Sequence, residues 1–262
     1  MSSISRPLRR LRPALLLLCL LSPPPAHAGQ PLERGILPAA LGGLGTFWTT
    51  PLTWRAQDLA YLAPTGAVLG LLIWQDVPVY HFVHDARGPW QDKIMPWATW
   101  GGEGLTDVCV AGAGWALGPD ERLRETSATA LQAMAVVGVA TATLKYAFSA
   151  DRPWTRTDTH RFFDYGQWNP GFPSGHTMDA FCMAEVYGSQ YGRWWTYPLA
   201  LLVGYSRVYL NAHWPSDVFF GAALGILIGH QAVVQSQTQG APNQLFSLSA
   251  GPGPVLEEKF RF

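Results

Sequence analysis

Residues 176–209 read HTMDAFCMAEVYGSQYGRWWTYPLALLVGYSRVY. Two apolar runs of helical length, His176–Tyr191 and Thr196–Tyr209, lie back to back with Gly192-Arg193 between them. Apolar residues predominate, and no sustained period-2 alternation appears, which favours helix over strand. Gly192-Arg193 punctuates the run as a turn. At about 1.5 Å per residue the outward and return runs are of similar length, so the chain comes back to the level it left. This stretch therefore predicts an antiparallel helical pair whose open ends, near His176 and Arg207, meet.

Similar apolar runs flank the pair: Leu59–Trp74, Trp97–Leu117 and Ser127–Phe148 before it, and Asp217–Val234 after it. Gly/Pro-rich breaks such as Arg87-Gly88-Pro89 and Gly118-Pro119-Asp120 separate them. The expected fold class is all-α, a bundle of about six core helices within a domain spanning residues 29–236. Residues 1–28 read as a secretory signal: Arg6, Arg9, Arg10 and Arg12 precede an apolar run, Ala14–Leu21, and Ala26-His27-Ala28 offers small residues for cleavage. Residues 237–262 read as a linker and tail, either a small hairpin around Gly251-Pro252-Gly253-Pro254 or an unstructured terminus. Cleavage after residue 28 would remove Cys19 and leave Cys109 and Cys182, which read as packed thiols rather than a disulfide.

Composition narrows the function classes. The 262 residues carry 18 Lys+Arg against 18 Asp+Glu, so nothing suggests a nucleic-acid partner. Charged residues make up 14%, against roughly 25% in ordinary soluble proteins. Aromatics reach 13% with 12 Trp, which excludes general disorder. Mean hydropathy is +0.06, between that of a soluble globule and that of a membrane protein.

Three clusters carry chemistry. In Lys145-x6-Arg152-Pro153, Pro153 disfavours helix at Arg152, so Lys145 closes a helix and Arg152 opens a loop. Two cations there either clamp an oxyanion or compensate the helix dipole. In Pro173-Ser174-Gly175-His176-Thr177 a helix begins, with Gly175 permitting close backbone approach and exposed N–H groups suited to an anion. Ser174 is equally an ordinary N-cap, but capping does not require His176. In Ser206-Arg207-x5-His213-x3-Asp217, Pro215 suits the first helical position, placing His213 just before the helix and Asp217 in its first turn. An Asp four residues after a His can accept its ring N–H and leave the other nitrogen free as a nucleophile. Dipole compensation by Asp217 is the alternative.

Taken together, in order and with every fixed position filled, these clusters resemble the type 2 phosphatidic acid phosphatase superfamily, whose pattern is KxxxxxxRP, PSGH and SRxxxxxHxxxD. Bacterial acid phosphatases, membrane lipid phosphatases and vanadium haloperoxidases belong to it. The resemblance implies that Lys145, Arg152 and Arg207 bind phosphate oxygens with help from Ser174 and the Gly175 N–H. His213 would attack phosphorus, Asp217 would orient His213, and His176 would protonate the leaving oxygen and then activate water. It implies no metal and no cofactor, and a phosphorylated lipid or small phosphomonoester as substrate. Two alternatives stay open: a vanadium-dependent haloperoxidase, and a non-catalytic envelope protein that binds phosphate lipids.

Localisation is expected in the cell envelope, exported and facing the periplasm. Integral insertion would match six apolar stretches, with Trp97, Trp100, Trp194 and Trp195 at the interfaces. Against insertion stand runs shorter than about 20 residues, Asp179 and Glu185 in one of them, and topology. After a cleaved signal, six crossings would put the motif end inside, unless Ile36–Phe47 adds a crossing. The loop Trp154–Phe172 is expected beside the site, as substrate wall or as packing. His81-x-x-His84-Asp85 is a weak metal pattern. Glu103 and Asp107 read as capping or solvated acids. Oligomeric state is not legible.

Overall fold

The computed structural model describes residues 35–53, 56–166 and 168–237, without the side chains of 53 and 56–62. The signal reading at 1–28 and the tail reading beyond Gln237 lie outside the described residues. The architecture is all-helical. Eight α-helices appear among the described residues: α1 (Ile36–Thr49), α2 (Ala56–Asp85), α3 (Pro89–Ala98), α4 (Gly104–Leu117), α5 (Glu121–Phe148), α6 (Gly175–Tyr191), α7 (Arg193–Tyr209) and α8 (Pro215–Gln237). Short 3₁₀ turns cover Thr50–Thr53 and Thr99–Gly102.

Local chemistry sets the boundaries. Asp120 caps α5 by accepting from Leu123 N at 2.8 Å. Ser149, in the left-handed region, ends it and donates its N–H to Lys145 O at 2.8 Å. Gly192, at φ 109°, makes the reversal between α6 and α7, a backbone conformation open to glycine. The run expected over Trp97–Leu117 is broken at Gly101-Gly102. A Cβ on Gly102 would collide with His176 O, so the 3₁₀ turn there lies directly on the first turn of α6.

α6 is the central helix. Its Met178, Cys182 and Val186 pack into an alanine-rich core with Ala130, Ala133, Val137 and Ala140 of α5 and with Ile228 and Ala232 of α8. On α8, Gly221, Gly225 and Gly229 recur every fourth residue and face the α6 backbone. A Cβ on Gly221 would stand 2.6 Å from Ser174 O, and one on Gly229 would stand 2.9 Å from Cys182 O. Small residues at this spacing let two helices approach by their backbones, and here they fix the start of α6 against the start of α8.

The sequence expectations need four corrections. α2, α5 and α8 run longer than their apolar stretches suggested. Ala63–Asp85, Glu121–Phe148 and Pro215–Gln237 are long and apolar enough to cross a membrane by length and composition. Glu185 faces no lipid: Arg193 holds it bidentately at 2.8 and 2.9 Å, and Tyr197 Oη (2.7 Å) and His230 Nδ1 (3.2 Å) complete its shell. Cys109 is exposed rather than packed, while Cys182 is a buried free thiol. Asp107 is buried rather than solvated, whereas Glu103 caps α4 as expected, accepting from Thr106 N at 2.8 Å.

Candidate active site

All three motifs meet at one end of the bundle, where α5 and α7 finish and α6 and α8 begin. The loop from Ser149 to Ser174 closes over that end. Lys145, three residues before the end of α5, donates to Pro170 O (2.8 Å) and Gly171 O (3.1 Å). Arg152 is buried and spends its donors on the same loop. Nε reaches Asn169 O (3.0 Å), and Nη2 reaches Asn169 Oδ1 (2.9 Å) and Pro170 O (3.2 Å). Its Nη1 donates to Ala212 O at 3.0 Å and lies 3.2 Å from His213 Nε2. Arg207 donates through Nη1 to Thr99 Oγ1. Its buried Nε has no hydrogen-bond partner among the described residues.

His213 is buried, and its two nitrogens have different neighbours. Nδ1 is 3.2 Å from Asp217 Oδ2, which also accepts from Trp214 N at 3.0 Å. With Nδ1–H donating to the carboxylate, Nε2 keeps its lone pair and accepts from Arg152. Burial first, then the charges of Lys145, Arg152 and Arg207, hold the His213 pKa well below the ordinary imidazole value. The shift favours the neutral ring. His176 lies in the first turn of α6, and burial together with the Arg207 guanidinium pushes it down to about 4. Ser174 takes the capping role: its Oγ accepts from Thr177 N at 3.4 Å and pairs with Thr177 Oγ1 at 2.9 Å. Gly175 follows it, its position tight against Thr141.

The 149–174 loop is packing on its inner side and exposed on its outer side. Phe172 is buried against Phe148, Phe162 and Phe220. Trp154, Phe163, Tyr165 and Trp168 are exposed beside the site. Two residues at the site escaped the sequence reading. His160 of the loop and Asp76 of α2 are buried next to Asp217 and Ser216. The signal for Asp76 was present: an acid in the middle of an apolar helix marks a functional position by default. Among the described residues no group of three or more His, Cys, Asp or Glu is arranged to hold a metal ion. The His81, His84 and Asp85 run gathers no further ligands.

Comparison with known proteins falls on the stretch of chain that holds the three motifs. A family model described as the PAP2 superfamily matches residues 127–241. Over 64 residues the chain is 45% identical to a lipid A 1-phosphatase of Porphyromonas gingivalis, covering 22% of this chain and 14% of that protein. It is 33% identical over 64 residues to a lipid A 4'-phosphatase of the same organism, covering 23% and 27%. The match thus spans less than a third of either relative's length. A transmembrane PAP2-type phosphatidylglycerolphosphate phosphatase from Bacillus subtilis superposes with TM-score 0.50 at 21% identity, over 77% of this chain and 96% of that one. The motif positions, the PAP2 superfamily match over residues 127–241 and the helical architecture agree with one another.

Proposed function

We propose that this protein is a metal-independent phosphatase that hydrolyses a lipid phosphate ester or diphosphate through a phosphohistidine, at the envelope-facing side of a membrane. The observation that carries the reading is the placement of His213, with Nδ1 against Asp217 and Nε2 facing Arg152. A neutral imidazole, oriented by Asp217, offers a bare Nε2 beside the Lys145, Arg152 and Arg207 cations.

The steps balance. The Nε2 lone pair attacks phosphorus as the bond to the leaving oxygen breaks. Arg152 Nη1, released from Nε2, turns to an equatorial phosphate oxygen. Lys145 and the unpaired Nε–H of Arg207 take the others, supported by the Ser174 and Gly175 end of α6, where N–H groups and dipole favour an anion. Protonated His176 gives its proton to the leaving oxygen. Water then attacks the phosphohistidine and passes a proton to His176, which restores His213 and frees phosphate. Charge stabilisation of the equatorial oxygens is the main demand of phosphoryl transfer, and three cations supply it. A phosphate dianion in this cradle raises the depressed pKa of His176, so substrate binding itself protonates the acid.

The outer surface supports a bilayer setting. Only 11% of the apolar window of α2 is buried within the protein. Trp97 and Trp100 are exposed at the site end, Trp194 and Trp195 at the other. The 17 residues of α7 separate them by about 25 Å, close to the roughly 30 Å of a hydrocarbon core. The packing of α1 supports an orientation. Gln231 Nε2 donates to Gly43 O and, one turn on, Gln235 Nε2 reaches Thr46 Oγ1, so α1 runs parallel to α8 and starts toward the site end.

Phosphate release from p-nitrophenyl phosphate, phosphatidic acid, phosphatidylglycerol phosphate and undecaprenyl pyrophosphate, by membrane and soluble fractions with EDTA, tests the reading. Lipid-selective, EDTA-resistant activity in the membrane fraction is expected, with vanadate as inhibitor. His213→Ala should lose more than about 10³-fold in rate. Loss in EDTA restored by a divalent ion would break the three-cation mechanism.

A further inference from the structure

The pair His213–Asp217 continues beyond Asp217. Oδ2 of Asp217 is occupied by His213 and Trp214. Its other oxygen, Oδ1, is buried, has no hydrogen-bond partner among the described residues, and stands 3.5 Å from His160 Nε2. That nitrogen is likewise buried and unpartnered. The opposite nitrogen, Nδ1, is 2.7 Å from Asp76 Oδ2. Asp76 also accepts from Ser216 N (2.8 Å) and Ser216 Oγ (2.5 Å) at the start of α8. Stacking fixes the His160 ring plane, with Trp214 at 5.3 Å and Phe162 at 4.4 Å between centroids. Four side chains, from α2, the 149–174 loop, the turn between α7 and α8, and α8 itself, therefore stand in line: His213, Asp217, His160 and Asp76.

A structural staple between α2 and α8 would need only Asp76 and Ser216, whose two hydrogen bonds already make it. It would not need a second imidazole nitrogen aimed at the free oxygen of the acid that orients the nucleophile. Both acids and His160 are almost fully buried, where electrostatic interactions are strong and an unpaired carboxylate is costly.

We infer that His160 is a positioning residue for the nucleophile: it holds Asp217 Oδ1 so that the carboxylate cannot rotate away from His213 Nδ1, and Asp76 fixes His160 in turn. The chain steadies the positive charge that develops on His213 as Nε2 bonds to phosphorus, and no proton need move along it. This inference rests on the nucleophile role proposed for His213.

The test uses the full chain in detergent or lipid discs. His160→Phe keeps the ring between Trp214 and Phe162 but removes both nitrogens, and His160→Gln keeps a donor. His160→Phe should lower kcat by about 10–100-fold, the usual effect of removing an outer-shell partner. KM and the inhibition constant of inorganic phosphate should stay within about twofold, because the cations are untouched. His160→Gln should recover part of the loss. Asp76→Asn alone should lower kcat, but should add little in the His160→Phe background, since the two act through one chain. Unchanged kcat in His160→Phe, or additive losses, would overturn the inference. So would a kcat loss matched by a weakened phosphate constant, the mark of general damage. A readout independent of turnover is NMR of the histidine ring nitrogens. The His213 signals should show a bare Nε2 in the wild type and shift in His160→Phe, and identical signals would also overturn the inference. Full activity in His213→Ala would refute the nucleophile reading instead, leaving the NMR comparison to decide whether His160 holds Asp217.

Discussion

Replacing Gly225 by Ala probes the contact that aligns the site. The added Cβ would collide with Met178 O and lie 3.1 Å from Cys182 N. An ordinary carbon–oxygen contact is about 3.3–3.6 Å, so α6 and α8 must part by roughly an ångström or the helix must bend. Overpacking of this kind costs about 1–3 kcal/mol. At about 2–4 °C per kcal/mol for a chain of this size, the apparent Tm should fall by roughly 2–12 °C. Because α6 carries His176 and α8 carries Asp217, the separation also opens the site, and misplacement by about 1 Å can cost about 10²-fold in rate. Gly138→Ala is the control. Its Cβ meets nothing within 4 Å among the described residues, and helix propensity should stabilise it by up to about 1 kcal/mol. Thermal unfolding and phosphate release measured on both variants make the comparison. Equal Tm and rate for Gly225→Ala and Gly138→Ala would refute the close-packing argument.

Two further predictions concern charge. Sulfate keeps its dianionic charge across the working range, so it isolates the response of the protein. Burial and the site cations hold His176 and His213 low, and a bound dianion favours their protonated forms. Binding therefore takes up protons, and sulfate should inhibit more tightly as pH falls from about 8 to about 5; a flat inhibition profile would contradict the electrostatic account. At the other end of α6, Arg193→Ala strands the buried Glu185 carboxylate. Losing one partner of such a pair costs about 3–5 kcal/mol, so Tm should drop sharply while the rate per folded molecule holds; an unchanged Tm would show that Glu185 does not depend on Arg193.

The site was largely legible because its chemistry is written in three short segments. Lys145, Arg152, His176, Arg207, His213 and Asp217 could be placed at one end of a bundle from run lengths and from the turn at Gly192 alone. The residues that escaped are those whose roles depend on distant partners. Asp76 reaches Ser216 across 140 positions of sequence, and Gln75, Asp76 and Pro78 read as breakers that end its apolar run at Trp74. His160 sits in a loop with no periodicity to assign it. Arg152 read as a phosphate ligand, and nothing local shows that its donors also hold Asn169 and Pro170 in place. Glu185 read as a cost in lipid because hydropathy counts a charge without seeing Arg193, Tyr197 and His230 around it. The length of α2 was missed for a related reason: Pro78 is tolerated inside a helix, where sequence patterns treat proline as an end.

The central claim is that His213 Nε2 forms a bond to phosphorus. The most direct measurement supplies the full chain with a substrate radiolabelled in its phosphoryl group, quenches within a turnover, and maps the label, using His176→Ala to slow release of the intermediate. The account predicts an alkali-stable, acid-labile label on His213 that is absent from His213→Ala. Continued turnover with no label on His213, or a label on another residue, would contradict it.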